Sequence, residues 1–184
     1  MPKLIIGLVG QAGCGKGTAA DLLKNEYGAD YIRFSGILGE ILEKLAIEKS
    51  RESFSKLSNG LRREFGEDIL SYAVERTALS SDKDLVVIDG IRRPEDIVAL
   101  EPLPYFKLVS IAVPAKIRFE RMKKRGEKAT ESQMTWEEFL KEEQFPTEIT
   151  IPLTMSRAWK TIPNAGSREE FETAVRDTMK ELGF

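Results

Sequence analysis

The chain has no histidine and a single cysteine in 184 residues. Without histidine there is no Ser-His-Asp or Cys-His catalysis, no imidazole metal ligand and no imidazole pH switch. The one cysteine, Cys14, cannot form an internal disulfide, which fits a reducing compartment. An excess of one charge is also missing: 28 Lys plus Arg stand against 30 Asp plus Glu, for a net charge of −2. That balance gives no global reason to expect nucleic acid as a partner. No apolar run reaches the roughly 18 residues of a membrane span. The apolar stretch at residues 4–9, followed by Ala12-Gly13-Cys14, imitates a signal peptide ending at a lipidated cysteine. It is too short for a signal core, and Gln11 stands where such a site wants an aliphatic residue. A cytoplasmic protein without a membrane partner is expected. Its chemistry must use carboxylates, lysine, arginine, hydroxyls and backbone amides.

What is present is ordinary globular material, 41% hydrophobic and 32% charged. The length suits one domain over residues 1–184. At that size a chain buries about 70% of its unfolded surface, so no staple is needed. Residues 3–9 form a continuous apolar run, the pattern of a strand buried on both faces. Residues 29–34, 85–88, 105–113 and 158–162 read as further strands. Helices are expected over 17–26, 37–49, 54–79 (in two pieces, broken at Gly66) and 114–125. Pro94 opens a short helix, Thr135-Trp136-Glu137-Glu138 is a capping box, and Ser167 caps a final helix. Strands alternating with helices predict an α/β fold of three layers, a five-stranded parallel sheet with helices on both faces. In such sheets ligands bind beyond the carboxyl ends of the strands, where Gly10 and Asp89 fall.

Gly10-Gln11-Ala12-Gly13-Cys14-Gly15-Lys16-Gly17-Thr18 is the strongest signal in the chain. A loop that wraps a phosphate needs glycines so that successive N–H groups can turn inward without Cβ clashes. The following helix adds its positive N-terminal end. Lys16 supplies a mobile charge for the β- and γ-phosphates, and Thr18 a hydroxyl near the metal or the α-phosphate. By chance Gly-x-x-x-x-Gly-Lys would turn up in about one chain in twenty of this length. The strand before and the helix after make coincidence far rarer. Gly17, rather than Ser or Thr, follows the lysine, so the hydroxyl arrives one residue late. Asp89 ends a buried strand, where a carboxylate has few structural reasons to sit and could orient a hydrated magnesium. Cys14, near a helix N-terminus, reads better as a small residue that fits the loop than as a reactive thiol.

These residues resemble the adenylate kinases and the wider family of nucleoside monophosphate kinases. The loop is similar to theirs, and Asp89-Gly90-Ile91-Arg92-Arg93 resembles their Asp-Gly-aromatic-Pro-Arg segment. Ser35-Gly36-Ile37-Leu38 is similar to the start of their acceptor-binding helix, although Ile37 replaces an acidic residue. Arg118, Arg121 and Arg125 resemble their lid arginines, and Ile162-Pro163-Asn164-Ala165-Gly166-Ser167 their turn beside the adenine, also seen in dephospho-CoA kinases. The resemblance covers roughly residues 3–170. It implies ATP and Mg2+ as cofactors, with Gly10, Gly13, Cys14, Gly15, Lys16, Gly17, Thr18, Arg118 and Asn164 on the nucleotide. Ser35, Gly36, Arg92 and Arg93 would meet the acceptor, one of the two arginines taking its phosphate. Lys16, Asp89, Arg121 and Arg125 would act in transfer, and Thr18 and Asp89 would serve the metal.

The expected activity is transfer of the γ-phosphoryl group of ATP to a nucleoside monophosphate or a similar small phosphorylated acceptor. A helical insertion over about 36–80 would bind the acceptor. A short lid over about 120–147, lacking the zinc cysteines of some adenylate kinases, would close behind Gly126. Dephospho-CoA kinase is the nearest alternative, against which residues 31–39 contain no acid. A non-catalytic ATP-dependent switch is the alternative of another class. A monomer or small oligomer is expected. Arg118, Arg121 and Arg125 also fit a solvated basic face, Asn164 a simple turn residue, and Arg33, Arg62 and Arg63 are weaker acceptor candidates.

Overall fold

Five short strands, the central three rich in branched aliphatic residues, pair into one parallel sheet in the computed structural model of the chain, which describes residues 1–125 and 132–184. The strands are β1 (Leu4–Val9), β2 (Asp30–Arg33), β3 (Leu85–Ile91), β4 (Phe106–Ala112) and β5 (Lys160–Pro163). Their order is β2-β3-β1-β4-β5, each neighbouring pair parallel. β1 is central and all six of its residues are buried, which is why its sequence does not alternate. Leu4, Ile6 and Leu8 enter a core with α1 (Lys16–Tyr27) and α8 (Arg168–Glu181). Ile5 and Val9 enter the opposite core with α2 (Phe34–Lys44) and α4 (Ile69–Leu79). After β3 the chain crosses over β1 to β4, and that reversal of direction opens a crevice at the carboxyl ends.

The expected three-layer α/β fold is the one observed, with differences at particular elements. β3 runs to Ile91, beyond the expected end at Ile88, so Asp89 is still paired to Arg33 and Ile91 to Val9, with an irregularity in the register at Gly90. α2 begins at Phe34, which places Ser35 and Gly36 in its first turn. Gly66 ends α3 (Arg51–Phe65) with a φ of 108°, as the break expected there. Leu70, Val74 and Ala78 of α4 lie in the core beneath the sheet, so residues 69–79 of the expected insertion are a covering layer of the fold. α7 (Ile151–Met155), opened by Pro152, is a short helix with no expected counterpart.

α5 (Ala115–Arg125) and α6 (Trp136–Glu143) share a small core of Phe119, Met122, Met134 and Phe139. Trp136 stacks on Phe139 at 5.3 Å between ring centroids and 19° between planes. The capping box expected at Thr135 is formed, and the cap expected at Ser167 is also a full capping box, with Glu170. The glycine break expected at Gly126 lies outside the described residues. No helix among the described residues is long and apolar enough to cross a membrane.

Candidate active site

The glycine loop leaves β1 at Gly10 and enters α1 at Lys16. Gly13 and Gly15 have φ of 77° and 103°, conformations that a side chain strains. A Cβ on Gly15 would also lie 2.4 Å from Asn164 Nδ2. Gly17, by contrast, has open space around it, so packing within the chain does not demand glycine there. Cys14 is wholly buried under the loop. The Lys16 ammonium donates to Gly10 O at 2.5 Å and Gln11 O at 3.4 Å, and lies 3.6 Å from Cys14 Sγ. Thr18 sits in the first turn of α1, partly exposed. A cation, free N–H groups and a 12-residue helix all converge on this spot. The geometry suits a polyphosphate.

Three residues expected on the nucleotide or the lid do something more specific. Asn164 is buried and donates from Nδ2 to Cys14 O at 2.9 Å, while its Oδ1 accepts from Arg121 at 3.4 Å. Arg121 also reaches Gly166 O at 3.5 Å. Arg118 is buried too. Its guanidinium donates to Val113 O and Ala12 O, forms a two-pronged pair with Glu143 at 2.6 and 3.1 Å, and lies over the Phe139 ring. Gln11 donates to the same carboxylate at 3.0 Å. Arg118, Arg121 and Arg125 therefore do not share one environment: the first is buried, the second partly so and the third exposed. Arg118 occupies an apolar-stripe position with Ala115, Phe119 and Met122, the signal that marks it as inward. Gln11 and Glu143 carry no such mark in the sequence.

A second cluster lies at the ends of β2 and β3, where Arg33 pairs in register with Asp89. Asp89 is 7% exposed. It accepts from the Tyr31 hydroxyl at 2.7 Å and from Gly90 N at 2.7 Å, with Arg33 Nε at 3.6 Å. Burial, and then the bond to Asp89, push the Tyr31 phenol up to about 12. Arg92 pairs with Glu148 at 2.8 Å, and Arg93 with Glu67 at 3.0 Å. Beneath them Asp96 accepts from the backbone N–H of both arginines and pairs with buried Arg62 at 2.6 Å. Ser35 and Gly36 are exposed on α2 nearby, where Phe34 packs over Gly90. Arg63, exposed, pairs with its neighbour Glu64. Tyr31 and Asp96 are the residues that sequence reasoning passed over here.

A groove of ≈ 330 Å³ runs along α5, lined by Lys116, Ile117, Glu120, Arg121 and Lys124. Among the described residues no group of three or more acidic or sulfur side chains could hold a metal by itself. Thr18 and Asp89 offer hard oxygen atoms of the kind magnesium takes while keeping most of its water, so they fit an ion that arrives with phosphates.

The chain is similar to several known proteins. The chain is 26% identical to a UPF0200 protein of Hyperthermus butylicus over 98% of its own length and 95% of that protein. A UPF0200 protein of Thermococcus kodakarensis is 29% identical, covering 97% of this chain and 98% of the relative. The fold superposes on the shikimate kinase of Bacteroides thetaiotaomicron with a TM-score of 0.63 at 14% identity, over 98% of this chain and 99% of that one. It also superposes on the structure of TT1252 from Thermus thermophilus at 0.58 and 22% identity, over 99% of both chains. The family model described as AAA domain matches residues 9–139, from the last residue of β1 through α5 and into α6. With 131 of its 184 residues matched by that model, the chain belongs to that family.

Proposed function

We propose that the chain is an ATP-dependent phosphotransferase that moves the γ-phosphoryl group to a nucleoside monophosphate or a similar small phosphorylated acceptor. One juxtaposition supports this above all. The Lys16 ammonium lies in a glycine loop at the end of β1, and Asp89 with its arginines lies at the end of the adjacent β3. Donor and acceptor would meet across two neighbouring strands. The loop from Gly10 to Thr18 takes the triphosphate, with Lys16 on the β- and γ-phosphates. Arg121 and Arg125 would stabilise the charge that develops on the transferring group. The groove along α5 beside Arg121 has room for the base. Thr18 and Asp89 would hold Mg2+, which when bound neutralises charge on the β- and γ-oxygens. The whole chain would work as one domain, residues 36–80 meeting the acceptor and 120–147 covering the nucleotide.

The ion pairs favour a phosphorylated acceptor. A hydroxyl acceptor needs a carboxylate or similar base to take its proton. Glu67, Asp89, Asp96 and Glu148 are each engaged by an arginine. A phosphate monoester ionises near neutral pH and needs no base, only cations, and Arg33, Arg92 and Arg93 would supply them by exchanging their carboxylate partners for the phosphate. The test is a turnover screen with ATP and Mg2+ against AMP, CMP, UMP, the deoxynucleotides and dephospho-CoA. We expect at least one monophosphate to yield its phosphorylated product with matching ADP. Product from dephospho-CoA alone would move the acceptor to a hydroxyl. ATP binding without stimulation by any acceptor would leave the nucleotide-dependent switch.

A further inference from the structure

The peptide planes of the glycine loop are held from outside. No peptide bond in the described chain is cis, so each carbonyl points opposite to the N–H that follows it. Arg118 Nη1 holds Ala12 O at 3.4 Å, which turns the Gly13 N–H away from Arg118. Asn164 Nδ2 holds Cys14 O at 2.9 Å, which turns the Gly15 N–H away from Asn164. Neither N–H has a partner among the described residues. Both glycines have positive φ, the alternation that curls successive N–H groups into an anion-binding nest. The two side chains lie 106 and 150 residues from the carbonyls they hold. Each is itself pinned: Arg118 by Glu143 and the Phe139 ring, Asn164 by Arg121. Glu143 closes the arrangement by also accepting from Gln11 on the loop.

We infer that Arg118 and Asn164 are positioning residues that preset the phosphate-binding face of the loop, acting through peptide orientation and not by touching the nucleoside. The inference rests on the loop being a polyphosphate site, as proposed above, and assigns to these two residues a different task from base or ribose contact. A free glycine loop samples many peptide orientations, and each flip turns a donor into a carbonyl facing the phosphate. Side chains fixed by the fold remove those orientations before the ligand arrives, which raises affinity by lowering the ordering cost. The two clamps have separate targets, Gly13 for Arg118 and Gly15 for Asn164.

The test uses the full chain and two probes, MgATP and magnesium tripolyphosphate, the second having no base or sugar. Calorimetry on the wild type, Asn164→Ala and Arg118→Lys gives the affinities, with thermal unfolding as the control for folding. We expect Asn164→Ala to weaken both probes by the same factor, roughly tenfold for one lost hydrogen bond to a buried carbonyl. The Gly15 amide resonance should lose most of its shift on tripolyphosphate binding in Asn164→Ala while that of Gly13 keeps it. Arg118→Lys should do the reverse, and if it does not fold, Asn164→Ala carries the test alone. Weaker MgATP binding with unchanged tripolyphosphate binding would mean that Asn164 touches the nucleoside, and the inference falls. A wild type that binds neither probe overturns the nucleotide reading itself.

Discussion

The two ends of the crevice are built from different materials. At the end of β1 the binding groups are backbone N–H donors and one lysine, gathered within nine consecutive residues, Gly10 to Thr18. At the ends of β2 and β3 they are side chains tied to one another across long stretches of chain. Tyr31 and Asp89 are 58 residues apart, and Arg62 and Asp96 are 34. A site made from backbone must announce itself as a contiguous string, because the glycines are needed in place. A site made from side-chain pairs can recruit its members from anywhere that the fold brings together. The first leaves no room for a side chain at Gly10, Gly13 or Gly15; the second is a ledge of compensated charges.

The sharpest way to break this comparison is to remove the one cation that the backbone end carries itself. Lys16→Ala deletes the only side-chain cation between Gly10 and Thr18. Turnover should fall on the order of 10³-fold or more, about 4 kcal/mol of transition-state stabilisation, with the thermal midpoint nearly unchanged. Normal turnover by Lys16→Ala with any acceptor would remove the phosphoryl-transfer role from this loop.

At the other end the largest effect should be on stability. Arg62 and Asp96 are 6% and 3% exposed at their side chains, and Asp96 holds the Arg92–Arg93 backbone. Arg62→Met leaves that carboxylate buried without its cation, a loss of about 3–5 kcal/mol in denaturant unfolding. A loss under ~1 kcal/mol would show that the pair is not what fixes the turn. Asp89→Asn tests the same end for chemistry. The side chain keeps its shape and can still receive Tyr31, but the charge that serves magnesium is gone. The expectation is roughly a 10²-fold fall in turnover with ATP binding reduced only a few-fold. Equal losses in folding and nucleotide binding would make Asp89 a structural residue.

The same contrast explains what could be read before the fold was known. The five strands, the helix alternation and the phosphate loop follow from apolar runs and glycine spacing, local properties of the chain. The boundaries of β3 and α2 moved because pairing with β1 and β2 extends a strand past its apolar residues, and because Phe34 packs on Gly90. Arg118, Arg121 and Arg125 lie at i, i+3 and i+7, which sets them along one side of a helix without saying what that side meets. Arg118 proved to be in the seam with Phe119 and Met122. Asn164, readable as a mere turn residue, reaches back to the loop that begins the chain's chemistry. Tyr31 lay unmarked in an edge strand, since nothing local distinguishes a tyrosine facing a carboxylate from one facing water.

Tyr31 gives the smallest expected effect, and the one that separates the two ends by pH. Its phenol is raised from 10 to about 12 by burial and by the bond it donates to Asp89. A group whose folded pKa lies above its unfolded value binds its proton more tightly in the folded state. Its contribution is therefore complete below pH 10 and is lost as pH rises through about 12. A shift of that size would correspond to a few kcal/mol if the phenol were dry, but Tyr31 is only half-buried and screening by solvent leaves about 1 kcal/mol. Tyr31→Phe removes the hydroxyl and keeps the ring that packs under Lys24 and Arg33. The stability difference between wild type and Tyr31→Phe should be constant from about pH 8 to 10 and shrink towards pH 12. Magnesium-dependent ATP affinity should change less than twofold, because Arg33 and the Gly90 N–H still hold Asp89. A stability difference that stays flat through pH 12 would mean that Tyr31 does not hold Asp89 by its proton. In that case the acceptor end would be set by its arginines alone, and Arg33 would be the residue that holds Asp89 in place.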